Sequence, residues 1–179
     1  AESFNQDMSG WDVSSVSDMT AMFRDALQFN SDISPWNVSR VTSMYAMFNG
    51  AQSFNQDLSD WDVSSVSDMG GMFQYALQFN SDISRWNVSR VTSMYVMFYG
   101  ARSFNQDLSG WDVSSVSDTS GMFADALQFN SDISPWNVSR VTSMRSMFNA
   151  AQSFNQDLSD WDVSSVSDMG WMFYYAASY

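Results

Sequence analysis

Carboxylates are the side chains of this sequence whose spacing most clearly suggests chemistry. If Asp residues 25 positions apart lie above one another, neighbouring charges repel by roughly 1 kcal/mol in water. A row of bound calcium ions would offset this repulsion, because Ca²⁺ prefers carboxylate and carbonyl oxygens. The alternative, which we favour because no calcium-loop consensus is present, is that each Asp accepts backbone N–H groups of its own Asp-x-Ser turn. The row comprises Asp7, Asp32, Asp57, Asp82, Asp107, Asp132 and Asp157.

Catalysis is not expected from this sequence. The chain contains no His, Cys or Lys, so thiol, imidazole and amine chemistry and Cys/His zinc sites are all excluded. Paired carboxylates serve glycosidases, but only when one acid is held protonated in a distinctive pocket. A repeating sequence copies every residue to equivalent places and offers no such unique pocket. We therefore predict a protein that is not an enzyme and has no cofactor, calcium being the one possible exception.

Net charge and hydropathy restrict the classes of partner that this chain is expected to bind. The net charge is −13 and the seven basic residues are all Arg, which argues against nucleic acid. No stretch approaches the 18 or more consecutive apolar residues that span a membrane. The chain starts with Ala1 and Glu2 rather than Met, which indicates a mature form or a fragment of a longer protein.

Aromatic residues at variable positions are the candidate partner-binding residues. All seven Tyr fall where the repeats differ, and exposed aromatic side chains are enriched where proteins meet partners. The alternative is that these rings only cover a neighbouring element. The candidates are Tyr45, Tyr75, Tyr95, Tyr99, Trp171, Tyr174 and Tyr175, with Tyr179 at the chain end.

An internal repeat of 25 residues must position these side chains. A second period of 50 residues distinguishes odd turns from even ones. We expect residues 1–179 to form a single solenoid domain, because one repeat alone cannot bury its aromatic side chains and stacking must complete its core. The seven turns begin near Phe4, Phe29, Phe54, Phe79, Phe104, Phe129 and Phe154.

The apolar spacing within a turn predicts an α/β fold. In the first turn, a short strand is expected near Gln6 to Ser9, followed by a bend through Trp11. Residues 16, 19, 22, 23 and 26 are apolar, which is the spacing of one helix face, and Ser14 stands where an N-cap is wanted. In two even turns, Gly50 and Gly100 follow the expected helix end. Parallel strands would stack into a ladder with the short helices outside it.

The turn resembles a known family. Asp57-Leu58-Ser59, Trp61-Asp62-Val63-Ser64 and Met72-Phe73 are similar to the BspA-like leucine-rich repeats of microbial surface proteins and lipoproteins. The resemblance covers all seven turns. It implies a leucine-rich-repeat-like solenoid and an extracellular or cell-surface role in adhesion. The chain departs from the family in having Ala where Cys is frequent, as at Ala26 and Ala51, and Phe where Leu is usual.

Three functions follow from these features, in decreasing order of preference. The first is a surface-exposed interaction or adhesion scaffold that binds a protein or a glycan. The second is a structural element that assembles end to end, because neither end carries a visible polar cap. The third is calcium, mineral or ice binding, through the Asp row or through hydroxyl rows such as Ser14 and Ser39. The sequons at Asn37, Asn87 and Asn137 are N-glycosylation sites if the protein is secreted by a eukaryote.

Overall fold

The computed structural model describes residues 2–176, and these residues form neither a helix nor an extended strand. Successive 25-residue repeats, which we call coils, lie on one another, and residues 25 apart form columns along the stack. The predicted α/β fold of strands and helices is therefore wrong. The regular backbone pairing among the described residues is a single column of isolated parallel β-bridges. It joins Asp18 to Ser43, Ser43 to Asp68, Asp68 to Ser93, Ser93 to Asp118, Asp118 to Ser143 and Ser143 to Asp168.

Hydrogen bonds between coils replace the predicted helix. In the third coil, the N–H groups of Gly71, Phe73 and Tyr75 donate to the carbonyl oxygens of Tyr95, Met97 and Tyr99 at 2.7–2.9 Å. The N–H groups between them close tight turns instead, as when Gln74 donates to the Gly71 carbonyl at 3.1 Å. Backbone donors thus alternate between the next coil and the same coil, whereas in a helix every donor bonds four residues back.

Left-handed backbone conformations make this alternation possible. Gly71 and Tyr75 have φ of 61° and 56°, and even the β-branched Val96 has φ of 47°. Such a conformation is unfavourable for a β-branched residue, and it persists because the surrounding hydrogen bonds determine it. Gly100, predicted to end a helix, has φ of 69° and lies third in the β-turn from Phe98 to Ala101. A Cβ atom there would lie 2.6 Å from the Tyr75 ring, so this turn requires glycine.

The predicted strand near Gln6 to Ser9 is also absent. The Met8 carbonyl accepts the Trp11 N–H at 3.0 Å, which closes a turn at this place. Between coils, a side-chain ladder takes the place of strand pairing, since the Asn30 N–H donates to Asn5 Oδ1 at 2.8 Å. The same bond recurs in every later coil up to Asn155. The Asn column therefore satisfies the backbone where main-chain bonding between coils stops.

The core is one continuous set of stacked columns. The Phe73 and Phe79 rings are 3.7 Å apart and nearly parallel, and Phe73 lies 5.7 Å from Phe98 in the next coil. Each later tryptophan of the Trp11 column donates its indole N–H to the preceding coil, as Trp86 does to the Leu58 carbonyl at 2.9 Å. Among the described residues, no buried side-chain nitrogen or oxygen lacks a hydrogen-bond partner.

Candidate binding surfaces

The Asp row is exposed and is held by short local hydrogen bonds. Each carboxylate accepts the backbone N–H of the Ser two residues later at 2.9 Å. This is the turn geometry that the Asp-x-Ser spacing predicts. The seven residues are Asp7, Asp32, Asp57, Asp82, Asp107, Asp132 and Asp157.

These hydrogen bonds offset the repulsion along the row. The backbone N–H of Ser59, followed by the Ser59 side chain, lowers the pKa of Asp57, while the Asp82 charge acts weakly in the opposite direction. The Asp107 pKa is lowered in the same way by Ser109. Local donors therefore favour the charged form of Asp57 and Asp107.

The part of the chain covered by the structure contains no group of three or more Asp, Glu, His or Cys residues arranged to hold a metal ion. Each Asp of the row presents its carboxylate from a separate coil, and one oxygen is already engaged by a Ser N–H. The calcium row predicted from spacing stays a prediction.

The candidate tyrosines of the middle coils lie on the segment that carries the backbone ladder. We call Tyr45, Tyr75, Tyr95 and Tyr99 the tyrosine face. Tyr45, Tyr75 and Tyr95 are exposed by 43–46% despite their large rings, and Tyr99 is half-buried. The helical placement predicted for them is wrong, because this segment is a series of turns.

Small residues in neighbouring coils support the rings of this face. A Cβ atom on Gly70 would lie 3.1 Å from the Tyr45 ring, so this ring packs over a glycine. Tyr75 contacts Tyr99 edge to face with ring centres 5.1 Å apart, an arrangement that suits aromatic quadrupoles. The hydrogen bond that the Tyr99 hydroxyl donates to Tyr75, with burial second, raises the pKa of Tyr99 to about 12.

A cleft of about 210 Å³ opens at one end of the tyrosine face. The residues that line it are Tyr95, Val96, Tyr99, Ser120, Gly121, Arg145 and Ser146. It exists because one column has Tyr95, Ser120 and Arg145 in succession, so a small residue lies between two long ones. Arg145 is not among the binding residues predicted from the sequence, although the alternation of large and small residues in the aligned repeats indicates its place.

Three further candidates lie apart from the tyrosine face, in the last coil. Trp171 meets Tyr174 edge to face at 4.9 Å, and Tyr174 lies 4.2 Å from Tyr175. Trp171 and Tyr175 are 55% and 72% exposed. The structure therefore separates the predicted binding residues into two groups. Tyr179 lies outside the described residues.

The sequon asparagines and the hydroxyl rows have clear local roles. Asn37, Asn87 and Asn137 are exposed, and in each the side-chain oxygen accepts the Ser hydroxyl two residues later at 2.7 Å. The hydroxyls of the Ser17 column join coils, as Thr42 shows by donating to the Ser17 carbonyl at 3.1 Å. Ser14 caps no helix; its N–H instead donates to Asp12.

Each end of the stack, within the described residues, carries an apolar depression. A depression of about 340 Å³ on the first coil is lined by Phe4, Met8, Trp11, Met22 and Phe23. A depression of about 350 Å³ on the last coil is lined by Leu158, Trp161, Val163, Met169, Met172 and Phe173. Both consist of core columns that no further described coil covers.

Comparisons with known proteins identify a family without a known activity. The profile of the family described as "Mycoplasma protein of unknown function, DUF285" matches residues 1–111 and residues 106–179. Comparison with curated proteins and comparison with solved structures each gave no match. None of the described residues lies in a helix long and apolar enough to cross a membrane.

Proposed function

We propose that this chain, which belongs to the DUF285 family, is a non-enzymatic solenoid scaffold that binds a protein or glycan partner at the cell surface. The tyrosine face is the binding surface in this proposal. The observation that carries it is the cleft lined by Tyr95, Tyr99 and Arg145, which lies at positions where the repeats differ.

The chemistry of the cleft suits recognition. Two aromatic rings provide apolar contact at low entropic cost, and the phenol groups and Arg145 supply hydrogen bonds. Arg145 is 55% exposed, and its 3.5 Å contact with Asp168 leaves guanidinium donors available to a partner. Aromatic residues and Arg are also the residue types that dominate binding energy at interfaces.

Two further features support the absence of catalysis and the surface location. The carboxylates of a column come from successive coils, one from each coil. All pKa shifts resolved for Asp are downward, which is unsuitable for a general acid. Residues 61–64 and Met72-Phe73 resemble BspA-like repeats, and this resemblance supports a surface role.

A binding assay tests this proposal. The chain is immobilised and exposed to panels of matrix proteins and cell-wall polysaccharides. We expect at least one ligand whose affinity falls tenfold or more in Tyr95→Ala and in Arg145→Ala, as for residues central to an interface. Asp132→Asn, a change in the Asp row, is the matched control and should bind like the wild type. A ligand that binds both cleft variants with unchanged affinity would refute the assignment of this face.

A further inference from the structure

The direction of the backbone ladder gives the two ends of the stack complementary hydrogen-bonding groups. In the columns of Met19, Ala21, Phe23 and Asp25, the backbone N–H groups donate to carbonyl oxygens of the coil after. The Ser17 column runs the other way, since the Thr42 N–H donates to the Ser17 carbonyl of the coil before at 2.8 Å. On the first coil, the matching carbonyls of Asp18, Thr20, Met22 and Arg24 have no donor among residues 2–176. On the last coil, the N–H groups of Met169, Trp171 and Tyr175 have no acceptor within the same range. One end therefore presents acceptors and the other presents donors at the same column positions.

The tryptophan column adds a second match of the same kind. Six tryptophans donate their indole N–H to a carbonyl 28 residues earlier at 2.9–3.2 Å. Trp11 has no such acceptor within the described part of the chain. In the repeat alignment, the position that would serve it belongs to Leu158 of a preceding copy. Among the residues that the structure describes, the Leu158 carbonyl accepts only the Trp161 N–H, at 3.1 Å, which leaves a second lone pair.

Apolar side chains of the two ends match as well. Trp11 and Met22 are 56% and 39% exposed on the first coil, and Val163 and Met169 are 39% and 41% exposed on the last. The same columns are almost fully buried in the middle of the stack. A second coil laid on either end would cover these residues in the way the middle coils are covered.

From this complementarity we infer that the 179-residue chain, taken by itself, associates head to tail, the last coil of one copy on the first coil of the next. Such a contact is heterologous, so it can continue into a filament. This inference does not depend on the proposed partner binding by the tyrosine face.

Charge at the junction sets the strength of this association. Within the chain, the Asp12 column alternates Asp with Asn and the Asp18 column alternates Asp with Ser, so carboxylates are two coils apart. A head-to-tail junction places two odd coils together, and Asp162 then faces Asp12 while Asp168 faces Asp18. The other charged groups at the two ends are Glu2, Asp7, Arg24, Asp25, Arg145, Asp157 and Asp160. Because most of them are acidic, association is weak at low salt and tightens as salt screens the repulsion.

Sedimentation velocity of the full 179-residue chain over a range of concentrations tests the inference. The decisive variant is Asp162→Asn/Asp168→Ser, which gives the last coil the polar residues of an even coil. At low salt it should associate on the order of tenfold more tightly than the wild type, because two repulsive pairs are removed. The matched control is Asp112→Asn/Asp118→Ser, which changes the same two columns by the same charge in the fifth coil and should leave association unchanged.

A third variant identifies the surface involved. Trp11→Ala should weaken association severalfold at high salt, whereas Tyr45→Ala, which removes an exposed ring from the tyrosine face, should not. Thermal melting verifies that each variant is folded. Monomers at every concentration, at high salt and in the Asp162→Asn/Asp168→Ser variant, would overturn the inference. Association that Tyr45→Ala weakens and Trp11→Ala does not would overturn it as well, by showing a lateral contact.

Discussion

The middle coils and the terminal coils have nearly the same sequence but differ in burial. Trp36 and Trp86 are 4% and 3% exposed, while Trp11, in the same column, is 56% exposed. Met97 is fully buried and Met22 is 39% exposed. The comparison shows that burial is not a property of one coil, since each coil is covered by the coil before it and the coil after it.

The largest effect is expected from truncating a methionine of the Met22 column, once in a middle coil and once in the first coil. Met97→Ala removes a fully buried side chain and should lower the free energy of unfolding by about 2–5 kcal/mol. Met22→Ala, the matched change in the first coil, should cost much less because the side chain is already partly in water. Denaturant unfolding of both variants measures the difference, and equal costs would show that the first coil is covered in solution.

A smaller effect is expected from removing one indole donor. Trp86→Phe loses the hydrogen bond to Leu58 and some packing, and should cost about 1–2 kcal/mol. The Leu58 carbonyl keeps the Trp61 N–H, so no buried acceptor is left unpaired. Trp11→Phe should change stability by less than about 0.5 kcal/mol, as for an exposed side chain. Melting temperatures that fall equally in both would contradict the assigned role of the indole bonds.

The smallest single-site effect is expected in the Asp row, and it depends on pH. Hydrogen bonds from Ser59 lower the Asp57 pKa in the folded protein, so Asp57 stabilises the fold above its unfolded pKa of about 3.9. That contribution is lost as the pH falls through the lower folded pKa. Asp57→Asn should therefore be slightly less stable than the wild type at pH 7, and this deficit should disappear in acid. A deficit that grows on acidification would contradict the direction of the shift.

Much of the organisation was predictable from the sequence, because strict periodicity defines it. The repeat nature was predicted and is supported by the family match, and the columns of Phe23 and Trp36 are buried. The helix prediction was wrong because the spacing of Val16, Met19 and Phe23 also fits a ladder of turns. In that ladder, contacts between coils force left-handed φ values on residues such as Val96, which no local propensity indicates.

The candidate site was predictable only in part. Exposed tyrosines stand out because they break the repeat, and Tyr95 and Tyr99 do line the cleft. The cleft itself combines residues of the fourth, fifth and sixth coils. Its shape depends on Ser120 lying between Tyr95 and Arg145, which becomes visible only when the repeats are aligned and stacked.

The bond from the Gly71 N–H to the Tyr95 carbonyl tests the stacked-turn fold most directly. Its length is 2.8 Å, and among the described residues no other backbone hydrogen bond joins a glycine N–H to a tyrosine carbonyl. In protein labelled with ¹⁵N-glycine and carbonyl-¹³C-tyrosine, the fold predicts a through-hydrogen-bond coupling between this pair. This coupling would be distinct from the one-bond coupling between the Tyr99 carbonyl carbon and the Gly100 nitrogen. A coupling from Gly71 to the Ser67 carbonyl in ¹³C-serine protein, with none to Tyr95, would show a helix at this segment and would contradict the account.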